Sequence, residues 1–297
     1  FHERRKYLEI TFLSSQNYSD VTANNGDCIL IDTGSELVIF DCGCEEHAER
    51  VIKYMKEKKY SKAKLVLSHN DSDHFNGIPY LIDNGMISDV YTLLLLKYKD
   101  ELLEKINDKR ITRDSLTKRI KELFDNISSL SKKVTLRDIF TETLICNNVT
   151  IVGPDKEYAL DAVAKRIDKR KGDTIDKETI VNAVSTQVKV IVGKQKLLLC
   201  GDSSFEAIKD KLSEYTHIQL PHHGKKEQAE HIFNEKGSIG VTYYVSDNTG
   251  NSNGGSDDLP KKGYNIKNTK NGDQNCSTQY ANAVSRPTGS YYRGILR

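Results

Sequence analysis

An α/β fold, with mixed sheets covered on the outside by helices, is the class the sequence predicts. Short apolar runs of strand length recur along the chain. Amphipathic stretches with helical spacing lie between some of them. Mixed order of strands and helices of this kind points to sheets with helices packed outside.

The elements follow in order. "YLEITFL" (7–13) reads as a strand. "NGDCILIDTGSELVIFDCG" (25–43) reads as two strands joined at Thr33-Gly34, a hairpin with a glycine turn. In "EEHAERVIKYMKEKKY" (45–60), Val51, Ile52 and Met55 fall at helical spacing, which predicts an amphipathic helix. "KLVLS" is the next strand. Residues 79–140 read as mainly helical, rich in Glu, Lys, Arg and Leu. The bland account of that segment is a solvated helix pair; the sharper one is a basic arm beside a site. "NVTIVGP" (148–154) is a strand, and "KRIDKRKGD" (165–173) a basic loop or helix end. "STQVKVIVGKQKLLLCGDSS" (185–204) is a hairpin turning near Gly193. "HIQLPHHGKK" (217–226) runs from a strand into a loop, and "GVTYYVSD" (240–247) is a strand. A Gly, Asn and Ser-rich loop follows, "NTGNSNGGSDDLPKKG". The last stretch, from 274, is polar with weak periodicity, and no internal repeat has a fixed period.

Composition narrows the function classes. The chain of 297 residues is 37% hydrophobic and 29% charged, which suits a folded soluble protein with a sizeable core. No apolar run approaches the roughly 18 residues of a membrane span, and the first residues, "FHERRKYLEI", carry no secretory pattern. A cytoplasmic protein without a membrane partner is therefore expected. Net charge is only +2, so nucleic-acid binding would need a local basic patch rather than a global excess. The six cysteines are scattered and sit largely in apolar runs, which favours reduced thiols over disulfides. Cys42 and Cys44 could touch a metal, but Cys-Gly-Cys is not a usual zinc spacing.

Four segments share one pattern, an apolar strand ending in groups able to bind metal. They are "VIFDCG" with Asp41, "LVLSHNDSDH" with His69, Asp71, Asp73 and His74, "LLLCGDSS" with Asp202, and "IQLPHHG" with His222 and His223. Taken singly, each has an ordinary account: an Asx turn, a helix cap, a His-containing bend. After four strands whose ends would converge at one sheet edge, they point to chemistry. Carboxylates and imidazoles together suit zinc or manganese, whereas a purely carboxylate set would lean to magnesium or calcium.

With these residues in place, the sequence resembles the metallo-β-lactamase fold superfamily, whose defining motif is His-x-His-x-Asp-His after a strand. Here the motif is His69-Asn70-Asp71-Ser72-Asp73-His74, with Asp71 in the place of the second His. That variant, with "NGDCILIDTGSELVIFDCG" before it and "LLLCGD" and "LPHHG" after it, resembles the ComEC-like branch. The branch includes the DNA-processing domain of the competence channel protein. The resemblance covers about residues 7 to 273.

The resemblance implies a four-layer αββα sandwich: one domain over 1–297, with a helical insertion at 79–140 and a C-terminal tail at 274–297. It implies one or two Zn²⁺ or Mn²⁺ ions per chain. His69 and Asp71 would hold the first, Asp73 and His74 the second, and Asp202 would bridge them. His222 is favoured over His223 as a further ligand of the second ion. Asp41 would orient the ligand loop by hydrogen bonds, and Asn182, Ser185 and His223 would support the ligands. Asn182 and Ser185 occupy the segment where the superfamily commonly has one more His, so the first ion is expected to be held less tightly. The Gly-His-Pro of the branch's late loop is absent, and "HHG" is followed by Lys225 and Lys226.

Two divalent cations would outweigh the carboxylates of Asp71, Asp73 and Asp202, so an anionic substrate is expected. The expected reaction is attack of a metal-bound hydroxide on a phosphodiester of nucleic acid or a nucleotide, with Asp73 or Asp71 accepting the water's proton. Lys225 and Lys226, with the basic stretch at 165–171, would hold flanking phosphates. A hydrolase of small molecules (cyclic nucleotide, lactone or thioester) and a metal-poor binding module are the rival classes, since fold alone does not choose. The insertion at 79–140 is a candidate surface for a protein partner.

Overall fold

The computed structural model describes residues 8–20, 23–130, 133–169, 174–247, 256–260 and 262–277. Most of the Gly, Asn and Ser-rich loop, the end of the basic stretch at 170–173 and the tail beyond 277 lie outside them.

Two seven-stranded sheets face each other. The first contains β1 (Glu9–Phe12), β2 (Ile29–Asp32), β3 (Leu37–Phe40), β4 (Ala63–Val66), β5 (Ile87–Thr92) and β6 (Thr135–Asp138). The second begins with β7 (Leu144–Cys146) and β8 (Val149–Gly153). A separate two-stranded ladder, β9 (Thr174–Ile175) and β10 (Glu178–Thr179), interrupts it in sequence. It continues with β11 (Gln187–Val192), β12 (Gln195–Leu199), β13 (His217–Gln219), β14 (Thr242–Val245) and β15 (Asn265–Asn268). The final strand, β16 (Gln274–Ser277), returns to the first sheet beside β1.

Each sheet is antiparallel at the hairpins and parallel where helices intervene. β2 pairs antiparallel with β3 and β11 with β12, each through a glycine-containing turn, whereas β3–β4–β5–β6 and β12–β13–β14–β15 run parallel. Parallel strands carry their C-terminal ends to one edge, and the four segments that lead to Asp41, His69, Asp202 and His222 follow β3, β4, β12 and β13 there. The inner faces are largely apolar: Ile29, Ile31, Val38, Phe40, Val188, Val190 and Leu197 are fully buried. Phe12 of the first sheet stacks on Tyr244 of the second, ring centroids 4.6 Å apart.

Helices cover both outer faces. α1 (Glu45–Lys58) buries Val51, Ile52 and Met55, the spacing the sequence predicts. Cys44 caps its N-terminus and Glu45 and Glu46 occupy its first turn, where the helix dipole favours negative charge. α2 (Lys99–Lys105) and α3 (Arg113–Leu130) follow β5; α4 (Lys156–Lys169) and α5 (Lys226–Lys236) belong to the second half. The result is a four-layer α/β sandwich. No helix among the described residues is long and apolar enough to cross a membrane.

Two expectations need correction. Residues 79–140 are not a helical insertion throughout: β5 and β6 at its two flanks are core strands of the first sheet. "MISDVYTLLL" carries Val90, Tyr91 and Leu93, all buried, but the polar Ser88 and Asp89 blur the strand pattern beside so helical a neighbour. At the other end, Gln274–Ser277 is not tail but an edge strand. Its residues are polar because only Cys276 of the four is buried.

Candidate metal centre

The ligand loop leaves β4 at Leu67 and is fastened before it reaches its polar residues. Asp41, at the end of β3, is fully buried and adopts φ of 58°. Its carboxylate accepts hydrogen bonds from Ser68 N (2.7 Å) and Ser68 Oγ (2.6 Å) and lies 2.8 Å from His74 Nδ1. Burial pushes the Asp41 carboxyl up, against the opposing pull of His74. With Nδ1 held by Asp41, His74 turns Nε2 inward, 3.3 Å from Asp202 Oδ1. His69 is held in the same way: Nδ1 lies 3.0 Å from Ser68 Oγ and 3.2 Å from Ser185 Oγ, leaving Nε2 3.8 Å from Asp202 Oδ2.

Asp73 is seated by close backbone packing. Its carbonyl accepts from Asp27 N at 2.9 Å. A Cβ on Gly26 would lie 1.6 Å from that carbonyl oxygen, and one on Gly43 would lie 2.1 Å from it. Only glycine fits at either place. The Asp73 carboxylate accepts from Asn24 Nδ2 at 2.7 Å and lies 3.0 Å from His223 Nε2.

Asp202 and the two adjacent histidines come from the second sheet. Asp202 follows β12; its backbone N–H donates to Ser185 Oγ, and Asn182 Nδ2 donates to its Oδ2 at 3.4 Å. After β13, His222 and His223 both take left-handed backbone conformations, with φ of 50° and 52°. That bend sends the neighbouring rings different ways. His223 Nδ1 donates to Ser246 O at 2.8 Å and its Nε2 meets Asp73. His222 Nδ1 meets Glu178 Oε2 at 2.6 Å, with Nε2 3.9 Å from Asp202 Oδ2.

The atoms that converge have no hydrogen-bond partner. His69 Nε2, His74 Nε2 and Asp202 Oδ1 are buried without a hydrogen bond. One ligand atom each of His69, His74 and Asp202 lies within 4.8 Å of the others, and so do those of Asp73, His74 and His223. Buried polar atoms are rarely left unsatisfied, and a cation would satisfy all three at once. The electrostatics agree. Burial opposes the charge on Asp202, yet His74 and His223 hold its carboxyl well below the usual range. Burial likewise opposes charge on Asp73, and His74 and His223 hold it low. Burial pulls His74 down, but Asp202, Asp41 and Asp73 outweigh it and push its pKa well up. So strongly negative a setting favours a cation.

Asp41, His69, Asp73, His74, Asn182, Ser185, Asp202 and His223 are thus brought together, with Asp71 at the rim: its side chain is 47% exposed and lies 3.6 Å from His69 Nε2. Two sequence expectations are not met. His223, rather than the favoured His222, reaches Asp73, because the left-handed bend at 222–223 presents the second ring there. Lys225 does not face solvent for a phosphate: Nζ is 2.8 Å from the buried Glu178 carboxylate and donates to Lys177 O. Lys226 is half-exposed, 3.9 Å from Glu230. Cys42 and Cys44 stand apart from the cluster, bonded to Cys44 O and to His47 N respectively.

Three supporting residues carry no motif signal. Asp27 Oδ2 accepts from Gln219 Nε2 at 2.7 Å, and Oδ1 lies 3.1 Å from His223 Nδ1. Gln219 Oε1 accepts from Cys200 N and Gly201 N, just before Asp202. Glu178, 1% exposed, lies in the two-residue strand β10. The one available sign was for Asp27, an acid immediately before an apolar strand.

Comparison with known proteins agrees with this architecture. The model of the Metallo-beta-lactamase superfamily matches residues 21–142. A curated relative, Ribonuclease Z of Methanosarcina acetivorans, is 35% identical over 75 residues, 25% of this chain. The chain spans about a quarter (24%) of that relative's length. Among solved structures, the metallo-beta-lactamase fold protein YhfI from Bacillus subtilis superposes with a TM-score of 0.53 at 12% identity, over 92% of this chain and all of the other. A diphosphatase of the PhnP family gives 0.47 at 12% identity, over 91% and 98%. Family match and structural neighbour agree on the architecture, and the fold of this chain is the metallo-beta-lactamase fold.

Proposed function

We propose that the chain is a metal-dependent hydrolase of nucleic-acid phosphodiesters, of the ComEC-like branch. The observation that carries this is the convergence of His69 Nε2, His74 Nε2 and Asp202 Oδ1, buried and unpartnered, at the ends of strands from both sheets. A first ion would be held by His69, Asp71 and Asp202. A second would be held by Asp73, His74 and His223, with Asp202 between the two. The mixed nitrogen and carboxylate set suits zinc or manganese. Such ions supply Lewis acidity at a phosphoryl oxygen and a nucleophile at neutral pH.

The chain's own residues do the rest. Asp41 fixes His74, and Ser68 with Ser185 fix His69, so both Nε2 atoms face inward. Asn24 holds one oxygen of Asp73. Asp71, the most exposed carboxylate of the set, is placed to take a proton from an entering water. The Ribonuclease Z relative supports a phosphodiester as substrate, and Asp71 in the second motif position supports the branch.

The test compares wild type with Asp73→Ala/Asp202→Ala. Bound metal is counted by elemental analysis, and both proteins are assayed with Mn²⁺ or Zn²⁺ on DNA, RNA and bis-p-nitrophenyl phosphate. Wild type is expected to hold one or two ions and cut polymer, and the variant to do neither. Cleavage of the small ester alone would favour a small-molecule hydrolase. A chain that holds no metal and cuts nothing would end the catalytic reading.

A further inference from the structure

Beyond the metal cluster, a second set of polar groups lacks protein partners, where α3 meets α4. A cavity of about 350 Å³ there is lined by Arg119, Glu122, Leu123, Arg166 and Ile167. Arg166 Nη1 is buried without a hydrogen bond. Arg119 Nη1 donates to Ile167 O at 2.9 Å, which ties α3 to α4 and fixes one guanidinium at the wall.

A residue of its lining, Leu123, is tied to the ligand loop. Asn70, between His69 and Asp71, donates from Nδ2 to Leu123 O at 3.1 Å. Phe124, the next residue of α3, leaves helical geometry with φ of −134° and ψ of 30°. Asn70 Oδ1 is itself buried and unpartnered. One residue of the cavity lining, Leu123, is thus hydrogen-bonded to the residue that stands between two candidate ligands.

A buried donor left unpaired is destabilising, the more so when it is charged. An anion relieves that cost, and a guanidinium matches phosphate oxygens in a paired, charge-assisted geometry. Two arginines against the exposed Glu122 leave the cavity net positive. We propose that this cavity is a phosphate subsite, in which Arg119 and Arg166 hold a phosphate of a nucleic-acid strand flanking the one cleaved at the metal centre. As a flanking site, it rests on the phosphodiesterase reading above.

The full chain and its Arg166→Gln and Arg119→Gln/Arg166→Gln variants test this in two ways. Binding of a labelled single-stranded 12-mer is titrated in EDTA over a range of salt, with AMP as the short comparison. Cleavage of the 12-mer and of bis-p-nitrophenyl phosphate is followed in Mn²⁺. Arg166→Gln should weaken 12-mer binding about fivefold and flatten the log–log salt slope by about 0.7, and the double variant by about twice that slope. Among the described residues Arg166 Nη1 has no bond to lose, so melting temperature and turnover of the small ester should stay as in wild type. An unchanged salt slope in the double variant overturns the subsite. So does a fall of both substrates together with a lowered melting temperature, which would mark the arginines as structural. AMP binding as tightly as the 12-mer, with equal dependence on the arginines, would mark a free-phosphate site instead and overturn it too. If wild type cleaves nothing, the catalytic reading falls, and the binding titration in EDTA still decides the subsite.

Discussion

Replacing Asp41 separates two roles that one buried carboxylate combines. Asp41→Asn keeps the shape. Its Oδ1 can still accept from Ser68 N, now 2.7 Å away, and Ser68 Oγ can turn to accept from the new amide. The conflict falls on His74. Its Nδ1, 2.8 Å from the present carboxylate, would face an N–H, so the ring proton moves to Nε2, the atom that must be bare to bind a cation. Loss of such a supporting partner typically lowers metal affinity 10–100-fold, about 1.4–2.8 kcal/mol. The fold loses much less, because removing the charge also removes the burial penalty that pushes this carboxyl up. Asp41→Ala differs: Ser68 N, Ser68 Oγ and His74 Nδ1 all lose their acceptor inside the protein, and stability should fall by about 3–5 kcal/mol. Urea unfolding of the metal-free proteins and competition with a chelator of known affinity measure the two effects. An Asn variant that binds metal as wild type does, or unfolds as easily as the Ala variant, would refute this account of Asp41.

Other perturbations test separate parts of the structure. Gly43→Ala would put a Cβ 2.1 Å from Asp73 O and 2.5 Å from Asn25 O; overpacking against two backbone atoms should cost about 1–3 kcal/mol and loosen metal binding, as read by unfolding and chelator competition. Lys225→Ala strips a cation from the buried Glu178 and should cost about 3 kcal/mol in urea unfolding, whereas Lys226→Ala should stay within about 0.5 kcal/mol. His47 supplies a pH signature. It is fully buried, with Nδ1 2.6 Å from Tyr18 Oη and Nε2 3.1 Å from Gly26 O, and burial lowers its pKa from 6.5 to about 4. Between those values the unfolded chain takes up a proton that the folded chain refuses. Stability is therefore lost as pH falls from 6.5 to 4, by about 3 kcal/mol in full. His47→Gln should remove that part of the slope when unfolding is compared at pH 7 and pH 4.5; an equal slope in both proteins would contradict it.

The sequence was most legible where one local rule decides. The hairpin at Thr33-Gly34, α1 with Val51, Ile52 and Met55, and the strand leading to "SHNDSDH" each follow from a short pattern and recur in the structure. β5 was lost because a buried parallel edge of a helical stretch has no clean alternation. The choice between His222 and His223 was not available to pattern at all. Adjacent residues are distinguished only by the backbone, here two left-handed conformations in succession. Glu178 escaped for a related reason: its burial depends on Lys225, His222 and Gln228 closing over it from more than 40 positions away.

What joins these parts is a hydrogen-bonded path between the sheets. Asp27, leading into β2, accepts from Gln219 of β13; Gln219 in turn accepts from the backbone at Cys200 and Gly201, where β12 gives way to Asp202. Asp27 also donates its N–H to Asp73 and sets a carboxylate oxygen beside His223. One buried pair therefore touches three ligand-bearing segments from both halves of the sandwich. His69, Asp73, His74, Asp202 and His223 are each placed by partners on the other sheet as well as their own. The centre forms only when the two sheets have closed, and anything that shifts their packing must also shift the distances across the cluster.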